Sequence, residues 1–118
     1  MKNTPTPQEI KENYEEIFNL LDDLKVKKAQ SKINKLLKTN KNDPFLHWLK
    51  GYVLLYAGTD NFEDAINSFN RAIEIDPDNT FAWEFKAIAL RSIGRYEEAI
   101  GCYDKSMELD PLDYSAIY

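Results

Sequence analysis

The sequence predicts an all-α fold, a solenoid of three helix-turn-helix repeats, on three observations. Segments 65–77 and 99–111 follow the same pattern of apolar, polar and terminal Asp-Pro residues, and they lie 34 residues apart. Apolar residues recur every three or four positions, which places them on one face of a helix. Turn formers and prolines separate these segments, and no segment alternates as a strand does. A chain that repeats a two-helix unit buries its apolar faces by stacking neighbouring units.

The first two helices are expected over residues 8–22 and 25–39. Thr6, Pro7 and Glu9 have the form of a capping box, in which the hydroxyl and the carboxylate each accept a backbone N–H of the first turn. The second helix carries one apolar stripe and ends at the turn-forming run 40–44. The stripe consists of Val26, Ala29, Ile33, Leu36 and Leu37.

The third and fourth helices form the middle unit. Asp43 is expected to cap the third helix, which has Pro44 in its first turn and ends at Gly58, a residue suited to a left-handed stop. The fourth helix opens at Asn61 and ends at Ile75.

The last unit repeats this arrangement. A fifth helix is predicted from Thr80 to Ile93 with a stop at Gly94, and a sixth over residues 96–109. Residues 112–118 begin a seventh helix.

The spacing and residue types of the last unit resemble the tetratricopeptide repeat family, whose unit has about 34 residues in two antiparallel helices. The matching positions are Trp83, Ala87, Leu90, Gly94, Tyr96, Ala99, Tyr103 and Pro111. The resemblance divides one domain, residues 1–118, into a degenerate repeat over about 10–43, a second over 44–77, a third over 80–113 and a truncated capping segment, 114–118. The second repeat carries a two-residue insertion at Thr59 and Asp60.

The repeat pattern assigns packing roles to residues of contrasting size. Ala29, Ala65 and Ala99 are small where two helices approach closely. Large residues are expected to fill the gaps between neighbouring hairpins, namely Phe62, Phe69, Tyr96 and Tyr103.

The resemblance implies a concave groove lined by the first helix of each repeat. Carried over by position, its wall consists of Tyr14, Phe18, Phe45, Trp48, Leu49, Tyr52, Tyr56, Phe81, Phe85 and Ile88. Chaperone-binding relatives clamp a terminal carboxylate with Lys, Asn and Arg at five such positions. Here those positions hold Tyr14, Phe18, Leu49, Phe81 and Phe85, so binding of heat-shock chaperone tails is not expected.

The aromatic wall favours a protein–protein interaction module that takes an apolar or amphipathic peptide or helix. One alternative is a self-associating structural domain, a homodimer formed through these aromatics or through the uncapped C-terminal end. Another is that Tyr52 and Phe85 belong to the core, because a register error of one position would turn the groove inward. The partner's identity is not specified by the sequence.

The two halves of the chain carry opposite charge. Residues 1–41 have nine Lys and six acidic residues, whereas 42–118 have six basic and fourteen acidic residues. A basic stripe of Lys25, Lys28, Lys32 and Lys35 shares one helical face. Its simplest interpretation is a solvated face; an acidic partner or the acidic half of a second copy are alternatives. Nucleic-acid binding is the weakest of these, because the chain is acidic overall and the stripe lacks interleaved aromatics.

No catalytic, metal or cofactor site is expected. His47 is the only histidine and Cys102 the only cysteine, so neither has the partners that a metal site or an activated nucleophile needs. The four glycines are not clustered into a phosphate-binding loop. No segment is apolar over the length that crosses a bilayer. The expectation is a non-enzymatic cytoplasmic protein without membrane association.

Overall fold

The computed structural model describes residues 6–22, 24–56 and 61–110 and confirms the all-α class. These residues form six α-helices and no strand. The expectations for Gly58, for the insertion at Thr59 and Asp60, and for the seventh helix and capping segment lie outside the described residues. The helices are α1 (Pro7–Asp22), α2 (Val26–Thr39), α3 (Pro44–Tyr56), α4 (Phe62–Ile75), α5 (Thr80–Ser92) and α6 (Tyr96–Leu109).

The chain divides into two compact units, Met1–Lys41 and Asn42–Tyr118. In the first unit α1 packs against α2. The predicted capping box opens α1: the Thr6 N–H donates to Glu9 Oε1 at 2.8 Å, and the Glu9 N–H donates to Thr6 Oγ1 at 3.1 Å. Ile17 on α1 and both Ala29 and Ile33 on α2 are buried.

The second unit contains α3 to α6. Helix α3 packs against α4, α4 against α5, and α5 against α6, so the two hairpins stack through α4 and α5. Asp43 caps α3 as expected, because its Oδ1 accepts the Phe45 N–H at 2.9 Å. Asn79 does the same for α5, where its Oδ1 accepts the Ala82 N–H at 3.2 Å. Asn61 immediately precedes α4, but its side chain makes no capping hydrogen bond.

The core of the second unit is built around Phe69, which is fully buried on α4. Gly51 lets α3 approach this ring: a Cβ at that position would lie 2.6 Å from Phe69 Cε1. Ala65 and Ala99 are buried in the same cluster, as their small size predicts. Tyr96 was expected to fill a gap between hairpins, but it is 62% exposed at the start of α6.

The turn between α1 and α2 has the same backbone hydrogen bonds as the turn between α5 and α6. The two turns differ in the residue at the left-handed position. After α5, the Gly94 N–H donates to the Arg91 carbonyl and the Arg95 N–H to the Leu90 carbonyl, the pattern of a Schellman motif. After α1, the Leu24 and Lys25 N–H groups make the equivalent bonds to Leu21 and Leu20. Gly94 has φ 83° and Leu24 has φ 59°.

A left-handed backbone is natural for glycine and strained for leucine, because the leucine Cβ crowds the following carbonyl. Leu24 also exposes 85% of its surface, so its side chain contributes little packing in return. The turn after α1 therefore holds a residue that local chemistry disfavours. The sequence pattern of apolar residues gave no sign of this.

No helix among the described residues has both the length and the apolar character needed to cross a bilayer.

Replacing Leu24 with Gly should stabilise the protein by about 1 kcal/mol, because the left-handed conformation no longer clashes with a Cβ. Urea unfolding followed by circular dichroism measures this free energy. Leu24→Ala is the control, since it removes the exposed side chain and keeps the Cβ. An equal gain from both changes would mean that side-chain exposure, not backbone strain, sets the effect.

Gly51→Ala should destabilise the second unit by about 1–3 kcal/mol, because the added methyl group meets the Phe69 ring rather than a flexible side-chain end. Gly101→Ala is the matched control: Gly101 is also helical, but a Cβ there meets nothing within 4 Å. That change should be neutral or stabilising by up to about 1 kcal/mol through helix propensity. Thermal unfolding compares the melting temperatures of the two variants. Equal changes in melting temperature would contradict the close approach of Gly51 to Phe69.

Candidate binding surface

Six aromatic rings of the second unit form one continuous cluster. Helix α3 contributes four of them at intervals of three or four residues, which places them on one face, and α5 contributes the other two. We call this cluster the aromatic surface; it consists of Phe45, Trp48, Tyr52, Tyr56, Phe81 and Phe85.

Ring contacts run along α3 and then across to α5. Trp48 stacks on Phe45 with ring centroids 5.5 Å apart and on Tyr52 at 5.2 Å. Phe85 meets Trp48 edge-to-face at 5.3 Å and Tyr52 at 5.6 Å. Offset and edge-to-face pairs are the favoured aromatic arrangements, and each stabilises by about 0.5–1.5 kcal/mol beyond area burial. The surface is therefore held in shape by its own contacts.

Exposure rises from the core outward across the aromatic surface. Phe85 is partly buried, and its ring centroid lies 6.3 Å from that of Phe69 in the core. Trp48 is likewise partly buried against the core cluster. At the outer edge, Tyr56 is 58% and Phe81 57% exposed. Two large apolar side chains thus face solvent on a base that the core fixes in place.

The remaining groove positions fall in different places. Leu49 was expected on the groove wall, but it is fully buried, because it lies one residue beyond Trp48 and the helix turns it away from the face that carries the aromatic rings. Ile88 is partly buried and packs on the core cluster. Tyr14 and Phe18 belong to the first unit, where Tyr14 is partly buried and Phe18 is 39% exposed.

The two tryptophans differ in how their indole N–H groups are used. Trp83 donates through Nε1 to the Pro77 carbonyl at 2.8 Å. Trp48 Nε1 is buried and finds no acceptor among the described residues. An indole N–H has one donor and no acceptor function, so burial without a partner costs it free energy.

Charged groups lie at the Tyr56 end of the aromatic surface. Partial burial raises the pKa of Tyr56, although the residue is more than half exposed, and the neighbouring Tyr52 raises it further. Arg91 opposes the shift, and Glu84 adds to it. The Tyr56 hydroxyl is accordingly protonated at neutral pH. The surface thus ends in a neutral hydroxyl flanked by one basic and one acidic residue.

The basic stripe lies on α2 in the first unit and is partly neutralised. Lys25, Lys28 and Lys35 are exposed, whereas Lys32 is less exposed and pairs with Glu16 at 3.1 Å. A shallow cavity of about 340 Å³ lies at the start of this stripe, lined by Leu24, Lys25, Val26, Lys27 and Lys28.

Cys102 lies in the core of the second unit, whereas His47 lines a cavity. Cys102 is buried, and this burial raises the pKa of its thiol, which therefore stays protonated. The described residues hold no group of three or more His, Cys, Asp or Glu side chains placed to bind a metal ion. His47 lines an open cavity of about 530 Å³ between α3 and α4 that the sequence pattern did not indicate; its other lining residues are Lys50, Leu54, Asp64, Asn67, Ser68 and Arg71.

Comparison with known proteins identifies similar sequences and similar folds. Residues 49–114 match the family model of the tetratricopeptide repeat, which is more than half of the chain. A 35-residue stretch is 54% identical to the uncharacterized protein MJ0572 of Methanocaldococcus jannaschii. That match covers 30% of this chain and 41% of the relative, so the chain spans less than half of the relative's length.

Solved structures with a similar fold include two that cover more than nine-tenths of this chain. The type III secretion translocator chaperone SycD of Yersinia enterocolitica has a TM-score of 0.82 at 18% identity, covering 98% of this chain and 79% of its own. The first TPR of Spaghetti (RPAP3), bound to the HSP90 peptide SRMEEVD, has a TM-score of 0.81 at 19% identity, covering 93% and 86%. At these identities the likeness establishes the fold.

Phe85→Ala should destabilise the protein by about 3 kcal/mol, because Phe85 joins the aromatic surface to Phe69 in the core. Phe81→Ala removes a ring that is more than half exposed and should cost less than about 1 kcal/mol. Urea unfolding compares the two free energies. An equally large loss of unfolding free energy in Phe81→Ala would mean that Phe81 belongs to the core and is not part of the exposed edge of the aromatic surface.

Proposed function

The chain belongs to the tetratricopeptide repeat family, and we propose that it is a protein-interaction module whose aromatic surface binds an apolar or amphipathic segment of a partner protein. The observation that carries the proposal is the exposure of Tyr56 and Phe81 on a rigid base of packed rings. Clustered apolar exposure of this kind is typical of partner surfaces. The bound peptide in the similar RPAP3 structure supports a peptide-binding role for this fold.

Charge favours a partner segment with basic residues beside its apolar ones. Residues 42–118 carry a net charge of −8, whereas the aromatic surface supplies no charge of its own. Opposite charge on the partner accelerates encounter and selects its orientation, and salt screens this attraction. The apolar contacts then supply most of the affinity.

Recognition of a terminal carboxylate is not part of this proposal. Of the five positions that chaperone-binding relatives use for the clamp, Leu49 is buried and Phe81 and Phe85 are apolar rings. The peptide SRMEEVD is accordingly expected not to bind. We also propose a non-catalytic role in a reducing compartment, the cytoplasm, which suits the buried thiol of Cys102, the one cysteine of the sequence.

Self-association is a second candidate function, favoured by a separate pair of exposed residues. Tyr96 and Ile100 on α6 are 62% and 58% exposed and lie four residues apart, on the same helical face. A second copy that covered this face would bury both side chains. Residues of α6 and of the aromatic surface therefore provide independent tests of the two functions.

A library of random dodecapeptides displayed on phage tests peptide binding, with enriched peptides measured by calorimetry. Phe81→Glu should weaken their binding about 30-fold, because it places a charge within an apolar contact. Ile100→Glu is the matched control, since Ile100 is equally exposed but lies on α6. It should leave peptide affinity unchanged. The proposal would be rejected if no peptide were enriched, or if both variants lost the same amount of peptide affinity.

Light scattering across micromolar concentrations tests self-association with the same two variants. If α6 forms a homodimer interface, the unsubstituted protein should have twice the monomer mass and Ile100→Glu should reduce it to that of a monomer. A monomer at every concentration would exclude the second candidate. A dimer broken only by Phe81→Glu would assign the aromatic surface to self-association instead.

A further inference from the structure

The indole N–H of Trp48 is a hydrogen-bond donor without an acceptor in the described part of the free protein, and this restricts what the aromatic surface binds. Trp83 shows that this fold can satisfy a tryptophan donor, since its Nε1 reaches the Pro77 carbonyl at 2.8 Å. Trp48 Nε1 is buried without an acceptor among the described residues, at the centre of the surface proposed to bind a partner. A single polar group within an apolar wall is the usual way such a site fixes its ligand's orientation.

The neighbours of the Trp48 ring in the aromatic surface are themselves aromatic rings. The ring is stacked between Phe45 and Tyr52 and meets Phe85 edge-to-face. Phe81, on the outer edge, lies 6.2 Å away in a tilted arrangement. Ring contacts thus surround the indole, and its buried Nε1 has no acceptor among the described residues.

We infer that the partner segment bound by the aromatic surface presents an oxygen acceptor, a backbone carbonyl, to Trp48 Nε1 between its apolar side chains. This inference rests on the proposed function and narrows it. A purely apolar ligand would leave the donor buried and unpaired in the complex, whereas a carbonyl removes that cost on binding. The acceptor thus sets the register of the segment along α3.

The inference also restricts the conformation of the partner segment. Carbonyls inside an α-helix already accept N–H groups of the same helix, and only those of its last turn are unpaired. The segment that contacts Trp48 is therefore extended, or it is the C-terminal turn of a helix. Because Nε1 is buried in the free protein, a ring must move before the segment can reach it, and we assign this movement to Phe81, which adjoins Trp48 and is 57% exposed.

A first experiment tests the free protein. Each tryptophan is replaced in turn by benzothienylalanine, which keeps the bicyclic ring and exchanges the N–H for sulfur. At position 83 the melting temperature should fall, because the Pro77 carbonyl loses its donor. At position 48 it should stay unchanged or rise, because the lost donor had no acceptor. An equal fall at position 48 would overturn the inference, since the N–H would then already be engaged within the protein.

A second experiment tests binding by nuclear magnetic resonance of the two indole N–H groups. The probe is N-acetyl-leucine methylamide, which combines one branched apolar side chain with two carbonyls; benzene is the control without an acceptor. The amide should move the Trp48 indole proton downfield and leave that of Trp83 unchanged. Benzothienylalanine at position 48 should weaken binding of the amide by about 2- to 12-fold and leave the affinity for benzene unchanged.

The outcomes separate this inference from the proposed function. If the amide shifts the ring signals of Phe81 and Tyr56 but not the Trp48 indole proton, the surface binds ligands without a carbonyl anchor and only the inference fails. If neither probe moves any signal of the aromatic surface up to its solubility limit, the inference and the proposed binding surface fail together.

Discussion

The second unit depends on one close approach, that of the Phe69 ring on α4 to the backbone of α3. The ring is fully buried, and the absence of a side chain at Gly51 gives it room. Phe69 also meets Phe85 of α5 at 6.3 Å, so a single side chain connects three helices. Because protein interiors are close-packed, a displacement of this ring is transmitted to its neighbours. The position of Phe85, and through it the edge-to-face contacts with Trp48 and Tyr52, follows from this packing.

Binding and stability are therefore linked in this surface. Its inner rings are part of the packed structure, whereas Tyr56 and Phe81 extend from them into solvent. A partner gains a preformed site, since the rings that it contacts lose little conformational freedom on binding. The same arrangement explains why substitution of an inner ring should reduce both binding and stability, and why substitution of an outer ring should reduce mainly binding.

Local sequence signals predicted much of the fold because each acts within one turn of helix. The reciprocal bonds of Thr6 and Glu9, the cap at Asp43 and the left-handed Gly94 all follow from residue type and spacing. The strained turn at Leu24 was missed, because leucine gives no turn signal, although the turn has the same hydrogen bonds as the one at Gly94. Leu49 was misplaced because α3 is apolar on several faces, so periodicity does not distinguish its core side from its aromatic side. The aromatic cluster was anticipated as a set of residues, but its pairings depend on contacts between α3 and α5.

The energetics explain how a buried unpaired donor persists at Trp48. The aromatic surface contains six ring pairs, four of which include Trp48. At about 0.5–1.5 kcal/mol each, the four pairs of Trp48 contribute roughly 2–6 kcal/mol. An unsatisfied buried donor costs about 1–3 kcal/mol, so ring packing offsets it without an acceptor. The free protein thus tolerates the donor, and a partner that supplies a carbonyl recovers free energy that an apolar competitor of the same shape does not. Ring contacts then determine how strongly a segment binds, while one N–H sets the register of the segment and favours one with an unpaired backbone carbonyl.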